Sequence, residues 1–182
     1  KYELNPVWEL EADEFVGSEA VPQSVIRKGG TYRARVRMRN GTMAWSHWSP
    51  PVEFVAGEPD LAGLRAGLVF NEIMYNPLGQ AGVSAGEFEF LELKNIGEST
   101  LDLSGLFFSS GISFVFPEGS LLASGELFLL GINRAALQSR YPGLVVNGIF
   151  EGKLANEGEA ITLSAGIGAP VLSVAYDDAA PW

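Results

Sequence analysis

Two closely spaced strand-like stretches constrain this chain more than any other feature. They are LVFNEIMY, Leu68–Tyr75, and EFEFLELKN, Glu87–Asn95, joined by a loop rich in Gly, Ser and Ala. Apolar runs of this length between Gly and Pro clusters predict buried β-strands. Asn76-Pro77 ends the first, because proline has no N–H to give a ladder. Carboxylates sit among the apolar residues: Glu72 in the first strand, Glu89 and Glu92 in the second.

Further short strands follow. Leu101–Leu103 turns at Ser104-Gly105, and Leu106–Ser109 begins the next. Ile112–Phe116 ends at the turn sequence Pro117-Glu118-Gly119, and Glu126–Leu130 is a continuous apolar run. Ile161–Leu163 and Val171–Tyr176 pair across the glycine-rich turn Ala165–Ala169, after a tight turn at Asn156-Glu157-Gly158-Glu159. One helix is predicted, from a cap at Asn133 to Tyr141, stopped by Pro142-Gly143. About seven or eight strands and one short helix make an all-β sandwich. The 22 glycines and 10 prolines suit that reading better than a helical one.

Residues 1–57 have a different character. Strand-like stretches are Val7–Leu10, Ser24–Ile26, Tyr32–Arg39 and Val52–Val55. In the third, Tyr32, Ala34, Val36 and Met38 fall on one face and Arg33, Arg35, Arg37 and Arg39 on the other. Asn40-Gly41 predicts a tight hairpin. Trp45 and Trp48 follow in Trp45-Ser46-His47-Trp48-Ser49-Pro50-Pro51. A polyproline-like segment has about three residues per turn, which puts both indoles on one side. Arginines two apart on a strand stand about 6.8 Å apart, room for one flat ring between neighbours. A cation–π ladder of Arg33, Arg35, Arg37, Arg39, Trp45 and Trp48 is therefore expected.

Charge divides the chain at the same place. Residues 1–57 carry seven Lys/Arg and seven Asp/Glu, whereas 58–182 carry five and fifteen, so the whole net charge of −10 lies in the second part. An acidic module is a poor binder of nucleic acid. Gly57–Gly67 reads as a linker, with Gly57-Glu58-Pro59 closing the first module and the leucines covering a seam. The chain has no cysteine, which removes disulfides, thiolate metal sites and cysteine nucleophiles. The single histidine, His47, reads as an exposed side chain. Asn40-Gly41-Thr42 also fits the N-glycosylation pattern, although the hairpin already accounts for Asn-Gly. No apolar run reaches membrane-spanning length. Lys1 opens the chain within a strand-like stretch, which reads as a piece of a longer protein.

Two resemblances add to this. Tyr32–Val55, with its alternating arginines and Trp-Ser-His-Trp-Ser, resembles the end of a fibronectin type III domain carrying a Trp-Ser-x-Trp-Ser signature. Such a sandwich takes about 100 residues, so the resemblance implies a partial module over 1–57. The second stretch resembles a lamin tail domain of the bacterial secreted type. Its matching residues are Asn71–Pro77, Glu89–Asn95, Leu101–Gly105, Phe116–Gly119, Arg140-Tyr141-Pro142, Leu154–Glu159 and Tyr176-Asp177-Asp178. This resemblance spans Leu68–Trp182 and implies an immunoglobulin-like β-sandwich with one short helix. Family members continue past the Asp-Asp and Pro-Trp segment into another strand. A sandwich over 68–182 lacking its last strand, with an unpaired edge or frayed tail, is therefore expected.

Functionally, the resemblances imply a non-catalytic interaction or spacer module of a large secreted or cell-surface bacterial protein. Its partner would be a protein or polysaccharide at the cell surface, with no nucleic acid and no membrane insertion. The alternative is an accessory carbohydrate- or substrate-binding module beside a catalytic domain. Glu72, Glu89, Glu92, Asp177 and Asp178 form a candidate acidic cluster if they converge at one end of the sandwich. Calcium, which takes six to eight oxygens, is the one cofactor that such a cluster raises. No Asp-x-Asp-x-Asp-Gly loop accompanies it, so no metal or other cofactor is assigned. The Gly79–Gly86 loop lacks the Lys-Ser/Thr and following helix of a phosphate-binding loop.

Overall fold

The computed structural model describes residues 5–12, 21, 25–57, 60–80, 82–166 and 168–179. Ser24, Glu58-Pro59, Ala81, Ile167 and the terminal Pro181-Trp182, all used in the sequence reading, lie outside these. The chain forms two compact units, Lys1–Pro59 and Asp60–Trp182.

In the first unit, β1 (Thr31–Ala34) pairs antiparallel with β2 (Val52–Val55), placing Tyr32 opposite Phe54 and Arg33 opposite Glu53. The Tyr32 and Phe54 rings stack at 5.9 Å. Val7–Leu10 and Val25-Ile26 are not strands, since no described neighbour supplies a ladder for them. The long strand read over Tyr32–Arg39 keeps regular pairing only to Ala34. Beyond it, serines replace the ladder. Val36 N–H donates to Ser49 Oγ (3.1 Å) and Met38 N–H to Ser46 Oγ (3.0 Å). The Ser49 and Ser46 amides donate back to the Val36 and Met38 carbonyls. The Asn40-Gly41 turn is also longer than a two-residue hairpin. Asn40 Oδ1 accepts from Thr42 N, Thr42 Oγ1 and Ala44 N, and Met43 takes the left-handed conformation (φ 65°). The asparagine side chain mimics a backbone turn and draws the loop around itself.

The second unit is all-β with short helices. In chain order it holds α1 (Ala62–Gly67), β3 (Leu68–Met74), a 3-10 turn (Ala85–Phe88), β4 (Phe90–Asn95), β5 (Leu101–Asp102), β6 (Phe107–Ser110), β7 (Leu121–Leu122), β8 (Leu127–Gly131), α2 (Arg134–Arg140), β9 (Gly148–Ile149), β10 (Gly158–Ala165) and β11 (Ala169–Asp177). One sheet has the order β3-β4-β8-β9, the other β11-β10-β6, and β5-β7 form a small ribbon. All the pairings are antiparallel except β8–β9. Leu91, Leu93, Phe128 and Leu130 from the first sheet meet Phe108, Ile161, Leu163 and Tyr176 from the second in one core. That is a β-sandwich. β11 lies at the outer edge of its sheet. Among the described residues no helix is long and apolar enough to cross a membrane.

Several elements differ from expectation. Residues 62–67, read as linker, form α1, and Leu61 and Leu64 belong to the sandwich core. Glu87 and Phe88, read as strand, lie in the 3-10 turn. Ile112–Phe116 makes only isolated bridges, Ser113 to Glu151 and Val115 to Phe107. β7 and β9 were not anticipated, because two-residue strands carry no period.

α2 has a specific reason to exist. β4 and β8 alternate, so Leu91 and Leu130 face the main core while Phe90 and Leu129 face the other way. Ala136 and Leu137 on α2 are buried, and Leu137 joins Phe90, Leu129 and Val146 in a second cluster on that outer face. Asn133 Oδ1 caps the helix by accepting from Ala136 N at 3.1 Å. Gly131 lies directly beneath Leu137, leaving no space for a Cβ. Leu137→Ala should therefore cost about 3 kcal/mol, a typical penalty for an unfilled core site. The urea midpoint of the full chain followed by circular dichroism checks this. A midpoint equal to wild type would mean that α2 is not needed to cover β4.

Candidate functional site

Two constellations carry the side chains with chemistry. The first is the arginine row. The serine contacts seat Trp45-Ser46 beside Met38 and Trp48-Ser49 beside Val36, which places the indoles between successive arginines. Arg37 lies between both rings, 4.2 Å from the centre of Trp45 and 4.4 Å from that of Trp48. Arg39 stands 5.0 Å from Trp45 and pairs with Glu11 at 2.7 Å. Arg33 turns instead to its cross-strand neighbour, with Nε 3.1 Å from Glu53 Oε2. Arg35 is exposed and touches neither indole at cation–π distance among the described residues. The six-residue ladder thus contracts to Arg37, Arg39, Trp45 and Trp48. His47 is exposed, and its backbone carbonyl accepts from Ser46 Oγ at 2.9 Å.

The second constellation is the set of acidic residues, which the fold separates. Glu72 and Glu92 are register partners across β3 and β4. Glu72 is exposed, and Glu92 Oε1 accepts from Asn71 Nδ2 at 2.6 Å. Asp177 Oδ1 accepts from Ala179 N, and Asp178 is exposed. Glu89 alone is buried, at 4% exposure. Among the described residues no group of three or more His, Asp or Glu is placed to hold a metal ion. The donor set that raised calcium is therefore not gathered in one place.

Glu89 sits just before β4 with its carboxylate facing protein. Oε2 accepts the Leu154 N–H at 2.8 Å, and its backbone carbonyl accepts from Ile132 N at 3.1 Å. Burial pushes its carboxyl above the ordinary range. Glu159 and Glu87 add to the rise, while the Leu154 N–H and the Lys153 charge oppose it. Glu87 Oε2 accepts from Asn133 Nδ2 at 2.7 Å. Glu159 Oε1 accepts from Ala155 N at 3.0 Å and faces the Tyr176 hydroxyl at 3.1 Å. The Tyr176 hydroxyl also lies 2.9 Å from the Ala155 carbonyl. Its phenol is pushed well up by burial first and by the Glu159 charge next, so it stays a proton donor. These groups tie the 154–159 turn to β4 and β11.

Sequence reading missed two further anchors. Asn95 is fully buried, and its Nδ2 donates to the Ser99 and Leu122 carbonyls at 2.8 and 2.9 Å while Oδ1 accepts from Gly97 N at 2.9 Å. Arg140 reaches from α2 to the loop after β3, donating to the Leu78 carbonyl at 2.6 Å and lying over the Phe88 ring. Period-2 spacing was the available signal for Asn95 and for the burial of Glu89. Residues 89, 91, 93 and 95 share the face that Leu91 and Leu93 define as inward.

The second unit is an immunoglobulin-like β-sandwich whose polar groups serve as internal locks. The family model of the Lamin Tail Domain matches residues 64–178, and the chain belongs to that family. The family is immunoglobulin-like and non-catalytic, compatible with an interaction or spacer role. No curated protein matches the chain.

Glu89 gives a pH test with a definite sign. Its folded carboxyl binds a proton more tightly than the unfolded one, so its contribution to stability is full when protonated and declines as pH rises through the folded value. Glu89→Gln keeps an oxygen acceptor for Leu154 N and removes the ionisation. The stability of the variant relative to wild type should therefore rise as pH climbs above the ordinary carboxylate range. Thermal melts of both proteins over a pH series measure it, and a constant difference would place Glu89 in an unperturbed setting.

Proposed function

We propose that this segment is a non-catalytic interaction and spacer unit of a larger secreted or cell-surface protein. Its second unit is a lamin tail sandwich, and its first is the closing part of a fibronectin type III-like module. The observation that carries this reading is the use of the sandwich's buried chemistry for architecture. Glu89, Asn95, Glu159 and Tyr176 all bond to backbone groups of neighbouring turns. The chemistry that remains outside is the loops at the sandwich ends and an acidic surface, which suit recognition of proteins or polysaccharides. The excess of acidic residues in 58–182 argues against nucleic acid as a partner.

A glycan-binding sandwich is less well supported. Such modules present aromatic rings on a flat face, and Tyr141, at 43%, is the one aromatic side chain in the exposed class among the described residues of that unit. The test uses the 182-residue chain against a panel of chromogenic esters, phosphates and glycosides, together with binding to intact cell walls and surface proteins. No turnover, with saturable retention on a surface fraction, is the expected result. Turnover abolished by Glu89→Gln would overturn it.

A further inference from the structure

The two ends of the arginine–tryptophan ladder are built alike but furnished differently. At one end Arg39 stands beside Trp45 and receives the Glu11 carboxylate at 2.7 Å. At the other, Trp48 has Arg37 on one face at 4.4 Å and keeps 46% exposure. The next arginine in the row is Arg35. The Val36–Ser49 hydrogen bonds set Ser49, next to Trp48, against Val36, the residue between Arg35 and Arg37. Arg35 is exposed and has no ion pair or hydrogen bond with any described residue. The nearest strand carboxylate, Glu53, is already bonded to Arg33. This end thus combines an indole beside solvent with a guanidinium that no carboxylate of the described residues pairs.

We propose that Trp48 and Arg35 form a binding site for a uronic acid unit of an acidic polysaccharide. The apolar C–H face of a pyranose packs on the electron-rich indole, and the carboxylate on the same ring meets the guanidinium fork. Glu11 on Arg39 is the chain's own example of a carboxylate seated on a ladder arginine. A uronic acid fits this end better than an acidic peptide does. Its carboxylate is fixed to a rigid ring that covers the indole, whereas a Glu or Asp side chain brings the charge on a flexible stem and leaves the indole bare. The site stands on the geometry of the first unit and does not depend on the spacer reading of the second.

The test titrates the full 182-residue chain with trigalacturonate while following tryptophan fluorescence. Maltotriose serves as the neutral control and a Glu-rich hexapeptide as the peptide control. Binding of trigalacturonate at about millimolar strength that weakens with salt is expected. Arg35→Gln should lower that affinity about tenfold while leaving the circular dichroism and melting curve unchanged. Trp48→Phe, which keeps a ring beside Arg37, should weaken binding less than Arg35→Gln does. Equal binding of maltotriose or of the peptide would overturn the ligand class. Unaltered affinity in Arg35→Gln, or no trigalacturonate response at tens of millimolar, would overturn the site.

Discussion

Both ends of β4 are closed by a buried polar side chain, and the sandwich is arranged around those two closures. At the start, Glu89 takes the Leu154 N–H and so brings the turn before β10 against the first sheet. At the finish, Asn95 holds Ser99, Leu122 and Gly97 together, joining the β5–β7 ribbon to the end of the central strand. Gly67 and Gly97 lie close enough that a Cβ on either would press on Asn95 Oδ1 at 3.4 and 3.3 Å. An unsatisfied buried amide costs about 1–3 kcal/mol, so these contacts act as a condition on the register of the neighbouring turns. Leu91 and Leu93 between them supply the apolar drive. The polar ends decide which strands meet it and where.

This division explains what the amino-acid pattern could and could not convey. The β3–β4 pair was legible because both stretches are long enough to show alternation and are bounded by Gly and Pro. β10, β11 and α2 were legible for similar reasons, α2 through its Asn133 cap and the Pro142-Gly143 stop. β7 and β9 were not, since two residues have no period and form only because longer neighbours provide an edge. α1 was hidden by two glycines within six residues, yet Leu61 and Leu64 stand three apart as a buried helical stripe would require. Residue parity already placed Glu89 beside Leu91 and Leu93, whereas Glu72 and Glu92 belong to more open positions. The proposed acidic convergence failed because convergence depends on register and loop path, which no single strand encodes.

The ladder was legible by the same parity and incomplete for the same reason. Four arginines on one strand face follow directly from alternation, and the Trp45/Trp48 spacing indicates a second periodicity running beside it. Which arginines receive rings depends on how three-residue and two-residue spacings align. The hydrogen bonds of Ser46 and Ser49 align them around Arg37. Arg33 falls within the β1–β2 ladder, where Glu53 stands directly across, and an ion pair replaces the ring. Arg35 falls between these two regimes.

The two units therefore reach order by different means. In the sandwich, burial dominates and the polar groups refine it. In the first unit the apolar face of the arginine strand is open, with Val36 at 69% and Met38 at 70% exposure, so little hydrophobic drive acts there. Exposed cation–π contacts contribute about 0.5–1 kcal/mol each and a neutral hydrogen bond about 1 kcal/mol. Three guanidinium–indole contacts and the four serine-to-strand bonds then supply a stabilisation comparable to two or three buried leucines. Order beyond Ala34 rests on that set, which is why the serines matter as much as the tryptophans. An indole in this setting is fixed in place without being covered. That combination is what separates a recognition surface from a core residue.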